Sequence, residues 1–355
     1  LMGKKLAGIG GALIGHLLYQ LLQRSVPIWT DCSLLELIHE KGQVKGVVVE
    51  KEGKRLEIRA KAVILAAGGF PHNLEMRQKY HPHPITTDWT VANPGNKGDA
   101  ILAGMAVGAE TALMDDAWWG PCFIDHKGKS NFMIWERSFP YSIIVDKSGK
   151  RFMNESASYV DCGHWQYERN KQVSAIPAYL IFDQHHHKYY PFGVGLPGAE
   201  PKEYFESGMM TRADTLAELA QKIGVDPRGL EETVARFNGF ARNGKDEDFH
   251  RGDSAYDRVY SDPRIKPNPN LAPLTRAPFY AVKVWPGDLG TKGGLLTDED
   301  ARVLDKKGKP IAGLYAAGNS SASVMGRTYP GPGSTIGPAM VFGMIAGRHA
   351  ASLQD

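Results

Sequence analysis

Only three of the 355 residues are cysteine. Cys32, Cys122 and Cys162 are far apart with no CxxC spacing, which argues against a disulfide framework or a thiolate metal site. Unpaired thiols fit a reducing compartment, and a cytoplasmic location is the expectation. Surplus charge is missing too: 42 Lys and Arg stand against 39 Asp and Glu, a net +3. With no basic block, nothing points to nucleic acid as a partner. A membrane span is also lacking. The apolar stretch from Leu6 to Leu22 is broken by His16, Tyr19 and Gln20. It falls short of the ~20 predominantly apolar residues that a bilayer requires. Met2-Gly3-Lys4-Lys5 before it imitates a signal peptide, but no small-residue cleavage site follows. Its spacing predicts a buried amphipathic helix over residues 10 to 24. No repeat or low-complexity tract is present.

What the chain does have is a distinctive glycine-rich end, residues 313 to 347. Leu314-Tyr315-Ala316-Ala317 reads as a short buried strand, stopped by Gly318-Asn319. A loop rich in Gly and Pro follows, and then a helix with Pro338 in its first turn, where the missing N–H costs nothing. Gly331, Gly333 and Gly337 let another molecule approach the backbone. A helix N-terminus reached through such a loop suits an anion or an electron-rich oxygen. Tyr329 lies inside this loop. Together these features suggest a bound flavin beside a catalytic tyrosine.

The rest of the chain is organised around two kinds of segment. Residues 26 to 30 read as a strand, followed by two strands at Gln43 to Lys51 and Arg55 to Ile58. The run Ala62 to Ala67 ends at Gly68-Gly69, as a doubly covered parallel strand does. Residues 93 to 109 read as a glycine turn and a helix, with Asp99 at its start able to cap it. From Phe123 onward, strands at 142 to 145 and 179 to 182 and helices at 215 to 223 and 227 to 242 are predicted. Leu230, Val234 and Phe237 form the apolar stripe of the last helix. Residues 244 to 272 are polar and rich in Pro and Asn, an irregular surface crossing. Strands return beyond Pro278.

The run from Ser323 to Met340, with Tyr-Pro-Gly-Pro-Gly inside it, resembles the 3-ketosteroid dehydrogenases of the fumarate reductase/succinate dehydrogenase flavoprotein superfamily. The Ala66-Ala67-Gly68-Gly69-Phe70 step is similar to that superfamily's as well. Fumarate reductases would carry a histidine-glycine and an arginine-leucine-glycine-glycine pattern, which this chain does not. The resemblance implies an α/β fold: a Rossmann-type FAD-binding domain, incomplete at its N-terminus, with an inserted α+β catalytic domain. The expected division is 1–122 and 283–355 for FAD binding and 123–282 for the substrate. Gly8-Ile9-Gly10-Gly11 has no strand before it and does not qualify as the GxGxxG turn. On the order of 150 residues bearing that turn are expected to be missing, so an isolated chain of this sequence is expected to lose FAD on dialysis.

The activity implied by the resemblance is introduction of a 1,2 double bond into a 3-keto steroid, with a quinone-like or other acceptor taking the electrons. Desaturation at the 4,5 position, fumarate-reductase-like reduction, or a non-catalytic flavoprotein piece are the alternatives. Such chemistry needs a base for the proton alpha to the ketone, donors for the enolate oxygen and a hydride acceptor. The resemblance places the base at Tyr159, after the Arg151-Phe152-Met153-Asn154-Glu155 segment, and the donors at Tyr329 and Gly333. Asn154-Glu155 is expected to be a turn positioning Tyr159. A free phenol is a poor base at neutral pH; in the family a second tyrosine assists, and this sequence lacks it. Cofactor contacts are expected at Ala67, Gly68, Asp99, Gly318, Asn319, Ser334, Thr335 and Ile336. His185-His186-His187 reads as a surface turn, not a metal site, and Asp115-Asp116 as a solvated loop leading to Trp118-Trp119. No metal is expected.

Overall fold

A computed structural model describes residues 8–353. Its first elements are α1 (Ile9–Gln23) and an antiparallel meander of β1 (Cys32–Glu40), β2 (Gln43–Lys51) and β3 (Lys54–Arg59). β4 (Val63–Leu65), α2 (Leu74–Tyr80), α3 (Asp99–Ala106) and β5 (Thr111–Ala112) follow. Next come β6 (Ala117–Ile124), β7 (Ser130–Phe132), β8 (Ser142–Val145), α4 (Tyr159–Asn170), β9 (Ala178–Asp183), α5 (Gln184–Tyr189) and α6 (Lys202–Glu206). β10 (Met210–Ala213), α7 (Leu216–Ile223), α8 (Pro227–Asn243) and the long β11 (Phe279–Thr291) complete the middle of the chain. β12 (Gly294–Leu295), β13 (Arg302–Leu304), β14 (Pro310–Ala316) and α9 (Ile336–Ala351) close it.

Two six-stranded sheets result, and a small β5–β12 pair lies apart from them. The first sheet contains β1 to β4, β13 and β14; the second runs β7-β6-β11-β9-β8, with β10 also on β11. In the first, β14 lies parallel to β4, pairing Leu314 with Val63 and Ala316 with Leu65. Leu314 and Ala316 pack with Ala100, Ile101 and Ala103 of α3, whereas Tyr315 faces Phe342 and Ala346 of α9. The period-2 alternation of a strand thus feeds two clusters. The second sheet works the same way. Ile143, Tyr179 and Ile181 meet Leu230, Val234 and Phe237 of α8, while Ile144, Leu180 and Phe182 enter a separate core. α8 begins on an Asp226 cap that accepts from the Gly229 N–H, carries Pro227 in its first turn and stops at Gly244.

Two expectations fail, and a third holds only in part. Residues 26–30 are not a strand: Pro27 offers no ladder donor, and Val26, Ile28 and Trp29 stay exposed. The strand forms instead at β1, as an exposed edge. α1 is not buried. Ile14, Leu17, Leu18 and Leu22 are each more than 40% exposed, because nothing among the described residues covers them; Leu6 and Ala7 lie outside those residues. Residues 244–272 do cross the surface irregularly, with Lys245, Asp248, His250 and Val259 exposed, but not all of the segment is surface. Asp246, Arg251, Asp257, Asn268 and Asn270 are buried, since their side chains satisfy polar groups deep in the second sheet's core. Among the described residues, no helix is long and apolar enough to cross a membrane.

Candidate active site

β4 and β14 are parallel, so their C-terminal ends open on the same side, where ligands of open α/β sheets bind. The Ala317 N–H donates to the Leu65 carbonyl (3.0 Å) and the Ser320 hydroxyl to the Gly68 carbonyl (2.9 Å), joining the two ends. Gly68 is left-handed (φ 80°), and a Cβ there would stand 2.1 Å from Asn96 Nδ2. Only glycine fits, because Asn96 must reach past it to donate to the Ala67 carbonyl (2.9 Å). The Gly98 N–H donates to the Gly69 carbonyl, bringing Asp99 to this edge. Asp99 does not cap α3. It is the first helical residue, exposed, and the cap position is held by Gly98 without a side-chain bond.

Between the loop that follows β14, the end of β5 and the start of α9 lies a cavity of about 560 Å³ whose lining includes Trp118, Gly318, Asn319, Ser334, Thr335 and Phe342. Four residues expected at a cofactor therefore share one crevice. Ala67, Gly68 and Asp99 sit at the adjoining β4 edge, outside its lining, and Ile336 opens α9. The Thr335 and Ile336 N–H groups find no acceptor among the described residues. They stand at the positive end of a 16-residue helix. Trp118 Nε1 donates to Asn319 Oδ1 (3.0 Å), which orients that amide. Unpaired helix N–H donors, an amide and an apolar wall suit a flat heteroaromatic ring carrying carbonyl oxygens. The residues present fit the ring end of a flavin.

Next to this crevice two phenols meet. Tyr159, the first residue of α4, and Tyr329, in the loop before α9, are both 7% exposed, with ring centroids 4.2 Å apart. Phe132 stands edge-on to Tyr159 and Trp118 edge-on to Tyr329. Burial pushes the Tyr159 phenol far above its usual range, and the neighbouring Tyr329 hydroxyl pushes it further. Burial raises Tyr329 too, although the contact with Tyr159 acts in the opposite sense. Both are protonated at neutral pH, which suits a donor and opposes a base. Gly333 lies four residues beyond Tyr329, left-handed (φ 100°) and exposed. Its N–H has no acceptor among the described residues.

The segment before Tyr159 is held rigidly. Asn154 Oδ1 accepts from the Ser156 N–H (2.9 Å), the turn expected there. Glu155 is no acid or base in waiting. It is fully buried and takes both Arg151 (2.7 and 2.8 Å) and Arg251 (3.3 Å), and it also accepts from the Ile144 N–H. Arg137 Nη1 donates to the Glu155 and Ala157 carbonyls.

Other features sit elsewhere than expected. His185-His186-His187 is not a surface turn but part of α5, started by an Asp183 cap. Burial lowers His186 to about 3 and keeps it neutral beside the Glu136 carbonyl, while His187 stacks on Tyr280. No metal-binding group of His, Cys, Asp and Glu occurs among the described residues. Asp115 is exposed and pairs with Arg327. Asp116 is not solvated; it is 1% exposed and accepts from Trp119 Nε1 and His164 Nε2. Sequence reasoning missed Tyr256 and Tyr260, which precede and end a 3-10 turn at Asp257–Tyr260. Asp257 is tied to Asn154 (3.0 Å), and both phenols lie within electrostatic reach of Tyr159. Two tyrosines four apart in a polar stretch were the only signal.

A family model described as FAD binding domain matches residues 3–336. The chain is 52% identical over 361 residues to 3-oxosteroid 1-dehydrogenase of Mycobacterium tuberculosis, covering 98% of this chain and 64% of the relative. It is 37% identical to 4-oxocyclohexanecarboxylate 2-dehydrogenase of Sinomonas cyclohexanicum, covering 96% of this chain and 61% of the relative. Among solved structures it matches 3-ketosteroid delta1-dehydrogenase from Sterolibacterium denitrificans, in complex with 1,4-androstadiene-3,17-dione. That match has a TM-score of 0.95 and 44% identity, over 98% of this chain and 64% of that one. The chain thus spans 64% of the length of the first of these relatives. From the open ends of β4 and β14, the glycine loop and the match over residues 3–336, the chain belongs to the FAD binding domain family, whose cofactor is FAD.

Proposed function

We propose that this chain carries the reacting centre of a 3-ketosteroid 1-dehydrogenase. The observation that carries the reading is the meeting of Tyr159 and Tyr329 at 4.2 Å beside the crevice at the start of α9. In this reading Gly318, Asn319, Ser334, Thr335 and Ile336 hold the ring end of FAD, with Ala67, Gly68 and Asp99 at its margin. Bound there, FAD supplies the hydride acceptor for carbon 1 of the steroid. Tyr159 takes the proton from carbon 2. The Tyr329 O–H and the Gly333 N–H donate to the carbon-3 oxygen as charge develops on it, a task for which a protonated, buried phenol is suited. Tyr159 must first lose its own proton against burial, so a group stabilising its anion belongs to the reading. The resemblance assigns that task to a second tyrosine. Residues 123–282 provide the substrate side and 1–122 with 283–355 a Rossmann-type cofactor side. A quinone-like acceptor then removes the electrons, and the free thiols suit the cytoplasm.

The named relatives support a ketone beside the new double bond: one acts on an oxosteroid, another on a 4-oxocyclohexane ring. The test uses flavin-loaded protein, a 3-keto steroid and an artificial electron acceptor in heavy water. Formation of the 1,2-ene, together with deuterium uptake at carbon 2, is expected. Flavin-loaded protein that yields only a 4,5-ene, or no ene, overturns the reading.

A further inference from the structure

Lys292 is the residue after β11 and is fully buried, yet it has no place in the chemistry above. Its ammonium donates to the Gly326 carbonyl (3.1 Å) and the Thr328 carbonyl (2.9 Å), the latter adjoining Tyr329. It stands 4.6 Å over the ring of Trp118, the indole edge-on to Tyr329. Asp116 Oδ2 has no hydrogen bond and faces this ammonium at 3.6 Å. The other oxygen, Oδ1, meets His164 Nε2 at 2.7 Å. His164 belongs to α4, the helix that begins with Tyr159. Backbone bonds close the frame: the Lys292 N–H donates to the Asp116 carbonyl, and the Ser323 N–H to the Lys292 carbonyl.

A buried ammonium is costly, and an apolar side chain would fill the same space more cheaply. What the apolar side chain lacks is a charge with several donors on one atom, able to hold two loop carbonyls while it faces a carboxylate. The loop it grips is also held by an exposed Arg327–Asp115 ion pair and by the Ala322 N–H on the Leu295 carbonyl, but Lys292 is the buried anchor beside Tyr329. Residues 321–335 include three glycines and two prolines and no regular element. Pulled from one side by Lys292 and tied through Asp116 and His164 to α4 on the other, the loop holds one phenol against the other.

We propose that Lys292 is a positioning residue for Tyr329, and that the Lys292–Asp116–His164 cluster sets the spacing between Tyr329 and Tyr159. This rests on the desaturation reading. Burial lowers the Lys292 pKa, with Asp116 opposing. In Asp116, burial is outweighed by the His164 bond and the Lys292 charge, so its carboxyl lies below the usual range.

The test compares Lys292→Met, Tyr329→Phe and the double variant in flavin-loaded protein, measuring kcat, KM, flavin content and deuterium exchange at carbon 2. A phenol displaced by an ångström loses on the order of 100-fold in rate. Lys292→Met is expected to lower kcat by about 10- to 100-fold, with KM and flavin content unchanged, and to add nothing in the Tyr329→Phe background. Wild-type kcat in Lys292→Met, or losses that multiply in the double variant, overturns the proposal. Should Lys292→Met not fold, Lys292→Met/Asp116→Asn removes both charges, and the same non-additivity decides. Normal turnover by Tyr329→Phe alone sinks the parent reading and this inference with it. Slow Tyr329→Phe with fast Lys292→Met sinks only the inference.

Discussion

The two sheets treat their surfaces in opposite ways. Around the second sheet the central strands and charges close on themselves, although Val194 and Leu196 nearby in the chain are exposed: β8 and β9 are buried throughout, and the charges of Arg151, Glu155, Asp246 and Arg251 pair with one another at 0–8% residue exposure. Around the first, Leu17, Leu21 and Leu22 of α1, Ile64 of β4 and Met340, Val341 and Met344 of α9 are all exposed. One region is closed by its own polar network; the other presents apolar surface with no cover among the described residues. The candidate site lies at their junction. Tyr159 comes from the closed region and Tyr329 from the loop leading into α9. If the proposed pair reacts, its division makes it depend on what holds the two regions in register, and buried charges do cluster near each phenol.

Four substitutions test that contrast. Glu155→Ala leaves Arg151 and Arg251 buried with one carboxylate fewer, and is expected to cost about 3–5 kcal/mol in urea unfolding. A loss below about 1 kcal/mol would mean that the network is not what closes the region. Leu230→Ala, in the fully buried face of α8, is expected to cost about 2–5 kcal/mol by the same measurement. Across the junction, Tyr329→Phe in flavin-loaded protein should slow turnover by about 100-fold, with flavin content unchanged. Near-normal turnover would leave the phenol pair without a chemical role. The smallest effect is expected in the open region. Leu17→Gln, on exposed α1, should shift stability by no more than about 0.5 kcal/mol and reduce self-association in sedimentation. A large destabilisation there would mean that α1 is packed after all.

Local pattern was enough to place the elements whose residues carry their own instructions. Asp226-Pro227 and Gly244 bracket α8, and Leu230, Val234 and Phe237 form its apolar face. Continuous apolar runs made β8, β9 and the end of β14 recognisable, and the run around Tyr329 was distinctive enough to point to the candidate site. Where a segment depends on distant partners, sequence was silent or misleading. Polar residues 244–272 read as surface, but Arg251 finds its acceptors at Arg137, Ser138, Phe139 and Ser142, more than a hundred positions away. Apolar α1 read as buried because hydrophobicity records what a helix can bury, not whether a surface is there to bury it. The sequence by itself determined the bounds of α8, the glycine loop and the strand that precedes it. Only the tertiary structure decided that Lys292, Asp116 and His164 meet beneath the two phenols, because a buried charge is stable only where its partners already wait.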